Sequence, residues 1–352
     1  SDIITADLAY RANQESASKA VKLENNDKTA KRPNFVTLKS WVKWILKEKK
    51  RFLKYLEEIG IESGDKVIVA GGALFSHSVY YALRLGAITK IANRKNAEIA
   101  FNAIGVEKSR GVCISHIIIR RFLKNSSVKV VSTRDHVEEI CKLTSNFKYQ
   151  KYVPDAALWA VETDRRIRKD GVVGIGVISL QAYRSVSNAQ KQKCSMTIDK
   201  LLSFYEKLIF ELDKKKIPWK VFTNGAPADN AIAETLFNKY HYDRRHLVPY
   251  PKSPGQLVQI LSEFNVVIAH RLHALIVSTS LEIPVVPLIW SDKVLTFAKQ
   301  IGCENSAFRP EENDVESIIK AVSLNLNGYQ CGETLRQLQK LSESFIKNFL
   351  LM

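Results

Sequence analysis

The sequence predicts an α/β protein made of two Rossmann-like domains with mainly parallel strands. Three observations carry this. Short apolar runs, about four to eight residues each, alternate with longer stretches of helical periodicity along the whole chain. The same alternation restarts after a charged stretch at 164–170, DRRIRKD. The chain has 352 residues, 45% of them hydrophobic and 25% charged, which suffices for two ordinary cores.

In the first half, strands are expected at 3–8, 66–70, 112–115 and 129–132, each a compact apolar run. Helices are expected at 38–59, 78–84, 93–103, 117–123 and 135–142. The polar stretch 22–34 reads as a loop. Ser76 is placed to cap the helix after 66–70, and Asp135 to cap the one after 129–132. In the second half, 172–180 is a β run rich in Val, Ile and Gly, followed by a long amphipathic helix at 196–214. Strands then alternate with helices: 219–223 with 229–240, 246–248 with 254–263, 266–269 with 272–280, and 285–288 with 292–301. A last helix covers 333–351. The resulting division is 1–165, 166–330 and a C-terminal helix, 331–352.

Composition narrows the function classes. The cysteines, Cys113, Cys141, Cys194, Cys303 and Cys331, are scattered and form no CxxC pair. That argues against a disulfide framework or zinc site and for a reducing compartment. No apolar run approaches the roughly 20 residues a membrane helix needs. The expected location is cytoplasmic or peripheral at the inner face of a membrane; a Golgi-lumen location follows if an anchor once preceded Ser1. The net charge of +17 fits an anionic membrane, an acidic substrate or nucleic acid. No zinc finger, RNA-recognition signature or aromatic–basic platform supports nucleic acid as partner. Residues 38–60, LKSWVKWILKEKKRFLKYLEEIG from Leu38 to Gly60, combine Trp41, Trp44, Phe52 and Leu56 with seven Lys and Arg. They read as a charged surface helix or as a peripheral contact with anionic lipid.

Rossmann-like domains bind ligands beyond the carboxyl ends of their strands, so polar residues just after strands are the candidates. Gly71 and Gly72 allow close backbone approach, and His77 opens the following helix. Without a GxGxxG spacing a dinucleotide site is poorly supported. Arg134 and Asp135 follow the next strand as a cap and ion pair. Arg184 lies past the 172–180 run, placed to reach a phosphate or carboxylate. Asn224 and Asp229 sit at a strand-to-helix junction, Asp229 reading best as a cap and Asn224 as a ligand for an acceptor hydroxyl. The densest group is His270, Arg271 and His273 at the start of helix 272–280, with Lys293 after the next strand. One histidine in such a run is by default a core residue. Two with an arginine and a lysine at helix N-termini point to an anion site.

The stretch FNVVIAHRLHALIVSTSLEIPVVPLIWSDKVLTFAKQIG, 264–302, resembles the polysaccharide pyruvyltransferase family. VIVAGGALF, VVSTRDHVEEI, YVPDAAL and VGIGVISL echo it in family order. The resemblance implies a GT-B-like pair of domains with the active site in the interdomain cleft. It implies transfer of an enolpyruvyl unit from phosphoenolpyruvate to two hydroxyls of a sugar, in capsule or exopolysaccharide biosynthesis. The acceptor would be a polysaccharide or its oligosaccharide or lipid-linked precursor, the product a pyruvate ketal, and phosphate the leaving group. Arg271, Leu272 and His273 would bind the donor, joined by Arg184. Phosphoenolpyruvate is then a substrate, and neither cofactor nor metal is called for. The sequence departs from the family by lacking a Gly-Asn-x-Gly-Asp loop, by Gly71-Gly72-Ala73 in place of a longer glycine run, and by Trp290 where tyrosine is common.

The chemistry asks for positive charge around a phosphate and a carboxylate, which Arg271, His273, Lys293 and Arg184 supply. It also asks for a proton delivered to the methylene carbon and a hydroxyl deprotonated, for which His273 and His77 are the candidates. Gly71, Gly72, Asn224, His270 and Asp135 are left to the acceptor side or the cleft. Two other readings fit parts of the pattern: a GT-B nucleotide-sugar glycosyltransferase, and a non-catalytic anion- or membrane-binding protein.

Overall fold

The computed structural model describes residues 48–108, 113–144, 150–160, 171–189, 196–311, 315–327 and 332–352. The strand expected at 3–8, the loop 22–34, the first part of helix 38–59 and the charged stretch 164–170 lie outside these. Two compact units emerge: Ser1–Ala156 with Lys340–Met352, and Ala157–Gln339.

In the first unit, four parallel strands stand in the order β1-β2-β3-β4. They are β1 (Lys66–Ala70), β2 (Glu98–Ile104), β3 (Val128–Thr133) and β4 (Gln150–Tyr152). Helices α1 (Lys49–Ile59), α2 (Val79–Arg94), α3 (Ile114–Leu123) and α4 (Val137–Leu143) accompany them. The core gathers Phe52, Phe75, Phe101, Phe122 and the strand aliphatics. On the other sheet face Phe345 and Phe349 cover Ala100, Ala103, Val130 and Val153. Those two phenylalanines come from α12 (Gly332–Leu351), whose last turns belong to this unit.

Two expectations are corrected here. Residues 93–103 do not form a helix: α2 ends at Arg94, Asn96 takes a left-handed φ of 54°, and Glu98–Ile104 is a strand. The run is Ala-rich and buried on both faces, so it shows no alternation, and tertiary context overrides helix propensity. Nor do 113–115 extend as a strand. The helix starts at Ile114, because Ser115, His116, Ile119, Phe122 and Leu123 fall on one buried face at helical spacing. Strand β4 was not foreseen.

In the second unit four parallel strands stand in the order β6-β5-β7-β8: β5 (Val173–Gly176), β6 (Trp219–Phe222), β7 (Val266–Ala269) and β8 (Val285–Pro287). The helices are α5 (Leu180–Ala189), α6 (Ile198–Lys214), α7 (Pro227–Tyr240), α8 (Pro254–Leu261), α9 (Leu272–Ser280), α10 (Asp292–Gln300) and α11 (Val315–Asn327). β5 and β7 are buried along their length, and all-buried central strands read as unbroken apolar runs. Gly174 and Gly176 are required by packing: a Cβ would stand 2.3 Å from Phe264 and 2.9 Å from Phe222. The strand expected at 246–248 is instead a 3-10 turn, Arg244–His246, with a single bridge from Leu247 to Val221. Pro249 and Pro251, without N–H groups, stop the ladder there. Helices α5 and α11 were not foreseen. The 172–180 run is shorter as a strand because its end turns into α5.

Candidate functional site

The chain order reverses between β5 and β7, since β5 has β6 on one side and β7 on the other. Such a switch point opens a crevice beyond the carboxyl ends of the strands. The segments that leave β5 and β7 here are Val177–Ser179 and His270–Arg271.

Arg271 is the N-cap residue of α9, in an extended conformation and without a side-chain cap bond. Its guanidinium turns onto Asp229 instead. Nε donates to Oδ2 at 2.7 Å and one terminal nitrogen donates to Oδ1 at 2.6 Å. Asp229 is fully buried, in the first turn of α7, and its Oδ1 also accepts from the Ser179 N–H at 2.8 Å. It is therefore not the N-cap its sequence suggested; Ala226 holds that position. One carboxylate thus fixes the turn after β5, the start of α7 and the arginine after β7. The fork of Arg271 is spent on this pair through two nitrogens. Its side chain stays 26% exposed. The Trp290 ring lies 5.9 Å from the guanidinium carbon, within cation–π range, and its Nε1–H donates to the His270 carbonyl at 2.5 Å.

His270 has the opposite role. It is fully buried, and Tyr205 Oη lies 3.1 Å from Nδ1. The tyrosine oxygen also accepts from the Ile178 N–H at 3.1 Å, and His270 Nε2 is buried without a hydrogen-bond partner among the described residues. Burial pushes its pKa down to about 3, the Gly176 backbone pulls it part of the way back, and the Arg271 charge lowers it further. His270 is a neutral structural histidine clamped among Tyr183, Phe204 and Tyr205. Burial holds the Tyr205 phenol far above its usual range. His273 is exposed in the first turn of α9, next to half-buried Leu272.

Lys293 is half-buried in the first turn of α10, whose N-cap Ser291 makes no side-chain cap bond. Arg184 is exposed in the second turn of α5 rather than in the turn after β5. Among the described residues no hydrogen bond or ion pair joins it to Arg271. Asn224 follows β6, and its Oδ1 is buried without a hydrogen-bond partner among the described residues. Gly225 beside it has φ 83°, and a Cβ there would stand 2.4 Å from the Pro251 carbonyl.

In the first unit the strand ends carry different groups. Gly71 and Gly72 take φ of 74° and 63° after β1. The Gly72 carbonyl accepts from Gly105 N–H at 2.8 Å, and a Cβ on Gly105 would collide with that oxygen at 2.8 Å. His77 pairs through Nδ1 with Glu107 Oε2 at 2.7 Å, and the same oxygen accepts the His77 backbone N–H at 2.9 Å. The two side chains are 41% and 39% exposed. The His77 ring stacks on His116 at 5.3 Å. His116 is buried, and burial and then the neighbouring His77 lower its pKa. Arg134 makes a buried ion pair with Asp155. Asp135 Oδ1 accepts from the N–H groups of Val106 at 2.8 Å and His136 at 2.9 Å, while Oδ2 is buried without a partner among the described residues. Asp135 joins the ends of β2 and β3 rather than capping through the cap position, which is His136.

Sequence reasoning missed Asp229 as the arginine's partner and Glu107 as the partner of His77. Among the described residues no group of three His, Cys, Asp or Glu is placed to hold a metal. No described helix is long and apolar enough to cross a membrane.

Of solved structures, the chain is similar to UDP-GlcNAc 2-epimerase from Methanocaldococcus jannaschii, at 12% identity and TM-score 0.43, over 90% of this chain and 84% of that one. It is also similar to the GtfA/B complex bound to UDP and GlcNAc, at 12% identity and TM-score 0.31, over 84% of this chain and 60% of that one. No curated protein sequence matches it. The family model described as polysaccharide pyruvyl transferase matches residues 12–292, most of the chain. That span takes in the Gly71-Gly72 turn, the His77–Glu107 pair, and Arg271 with Asp229 and Trp290. The chain belongs to the polysaccharide pyruvyl transferase family and is a pyruvyltransferase.

Proposed function

We propose that the donor is phosphoenolpyruvate and the product a pyruvate ketal on a sugar. The observation that carries this reading is Arg271, locked by buried Asp229 beside the uncapped start of α9. An arginine already oriented by a carboxylate keeps one donor edge for a ligand and loses little entropy when it binds. The backbone N–H groups of Leu272 and His273 add partial positive charge at the same place. His273 and Lys293 complete the set for the phosphate and the carboxylate, and Arg184 is an outlying member. Asn224 is assigned to an acceptor hydroxyl.

The steps balance without a cofactor. A sugar hydroxyl oxygen bonds to C2 of the enol phosphate, and the methylene carbon takes a proton to become methyl. The C2–O bond to phosphate breaks, and the second hydroxyl oxygen bonds to C2 to close the ketal. The two hydroxyl protons end on the methyl group and on phosphate. His273, on the donor side, delivers the proton to the methylene carbon. His77, held by Glu107 through Nδ1, keeps Nε2 for the acceptor hydroxyl. The acceptor is a polysaccharide residue or a precursor of one.

The test is incubation with carbon-labelled phosphoenolpyruvate and a panel of glycosides, read by mass spectrometry and phosphate release. One equivalent of phosphate should appear per ketal. Phosphate release without a labelled glycoside, or labelling only from a nucleotide sugar, would overturn the reading.

A further inference from the structure

Helix α3 (Ile114–Leu123) buries one side and, among the described residues, leaves the other exposed. Inward go Ser115, His116, Ile119, Phe122 and Leu123. Outward stand Ile114 and Ile117, each 52% exposed. Arg121 and Lys124, both exposed, continue the same stripe seven residues after each isoleucine. Arg120 stands beside it and donates to the Lys142 carbonyl at 3.0 Å. The helix carries no carboxylate. Exposed isoleucine favours neither helix formation nor solvation, so two of them in line with two cations ask for a surface to meet.

The segment 38–60, first suspected of lipid contact, is a weaker candidate in its described part. Phe52 and Leu56 of α1 are buried in the core, and half-buried Leu53 is the apolar neighbour of exposed Lys49, Lys50, Arg51 and Lys54. Among its described residues that helix has no fully exposed large apolar side chain, whereas α3 exposes Ile114 and Ile117 beside its cations.

We propose that the outward face of α3 docks on an anionic phospholipid surface. Ile114 and Ile117 enter the headgroup–acyl boundary, and Arg121 and Lys124 meet lipid phosphates. The net charge of +17 draws the chain to such a surface. His116, on the inward side of the same helix, stacks on His77 at 5.3 Å. Docking therefore holds the His77 turn about one helix diameter, roughly 10 Å, from the bilayer. That position suits a sugar carried on a lipid. The docking itself stands on the helix face and does not depend on pyruvyl transfer.

The test is co-sedimentation of the full chain with vesicles of equal parts phosphatidylcholine and phosphatidylglycerol, against phosphatidylcholine alone. Wild type should bind the mixed vesicles, and less so as salt rises. The Ile114→Ser/Ile117→Ser double variant should bind roughly tenfold more weakly. Arg121→Ser/Lys124→Ser should lose roughly thirtyfold. Lys50→Ser/Lys54→Ser on α1, which removes the same charge, should stay within about threefold of wild type. Unchanged melting temperatures show that the variants fold. Isoleucine variants that bind like wild type, or wild type that ignores mixed vesicles, would overturn the proposal. So would a dimer that needs the two isoleucines while vesicles go unbound. Turnover of a soluble glycoside is read separately, so a failed transferase assay leaves the docking result standing.

Discussion

The two units finish their parallel strands with different chemistry. In the second, Arg271 is locked by a fully buried carboxylate and roofed by Trp290. In the first, the exposed group is an imidazole, His77, held by a half-exposed carboxylate. A buried charge pair is costly to assemble and strongly destabilising to halve, so it belongs where one geometry must be kept. A surface His–Glu pair contributes little to stability and engages only Nδ1 of the ring. Under the proposed function, the difference is that between a rigid grip for the donor and an imidazole held for the acceptor hydroxyl.

The largest effect that would break this contrast is expected at Arg271. Arg271→Lys removes the planar fork while keeping the charge, and should lower kcat/KM for phosphoenolpyruvate by roughly 100- to 1000-fold. Steady-state kinetics at saturating acceptor check it. Next comes Asp229→Asn, which leaves the arginine half-paired. The arginine is partly exposed and can rehydrate, so the loss should be about 2–3 kcal/mol of unfolding free energy, below the full cost of halving a buried pair. Urea denaturation reads it, and KM for phosphoenolpyruvate should rise in parallel.

At His77 the account predicts a different pattern. His77→Asn should lower kcat by roughly 100-fold and leave the donor KM alone. Glu107→Gln should have a smaller effect and move the pH profile of kcat, because it changes the imidazole's partner without touching the ring. A donor KM that rises with these variants would erase the distinction between the two units.

A last effect concerns pH. His270 has a folded pKa near 3, below that of the unfolded chain, so the unfolded state takes up the proton first. Stability from the neutral ring is fully present above about pH 6.5 and drains as pH falls toward 3, by about 1.4 kcal/mol per unit. His270→Asn, which keeps a partner for Tyr205, should flatten that limb in urea midpoints taken between pH 6.5 and 4.5.

How much of this was legible in the sequence differs between the units too. In the second, β7, α9 and the Arg271 turn stand where the apolar run and the polar break place them, because VVIA is buried from end to end. In the first, the Ala-rich β2 was read as a helix. Its strand end was therefore never considered, and Glu107 lies just beyond it. Asp229 was seen, but as a cap. Nothing local says that a carboxylate in a first helical turn will reach across to an arginine 42 residues later. The fold at each strand is a local message; the partner of a charged side chain is a tertiary one.

The most direct test of the central claim is the shift in melting temperature on adding phosphoenolpyruvate to wild type, Arg271→Lys and His77→Asn. The account predicts a clear rise for wild type, an equal rise for His77→Asn and none for Arg271→Lys. An Arg271→Lys protein stabilised as much as wild type would contradict it.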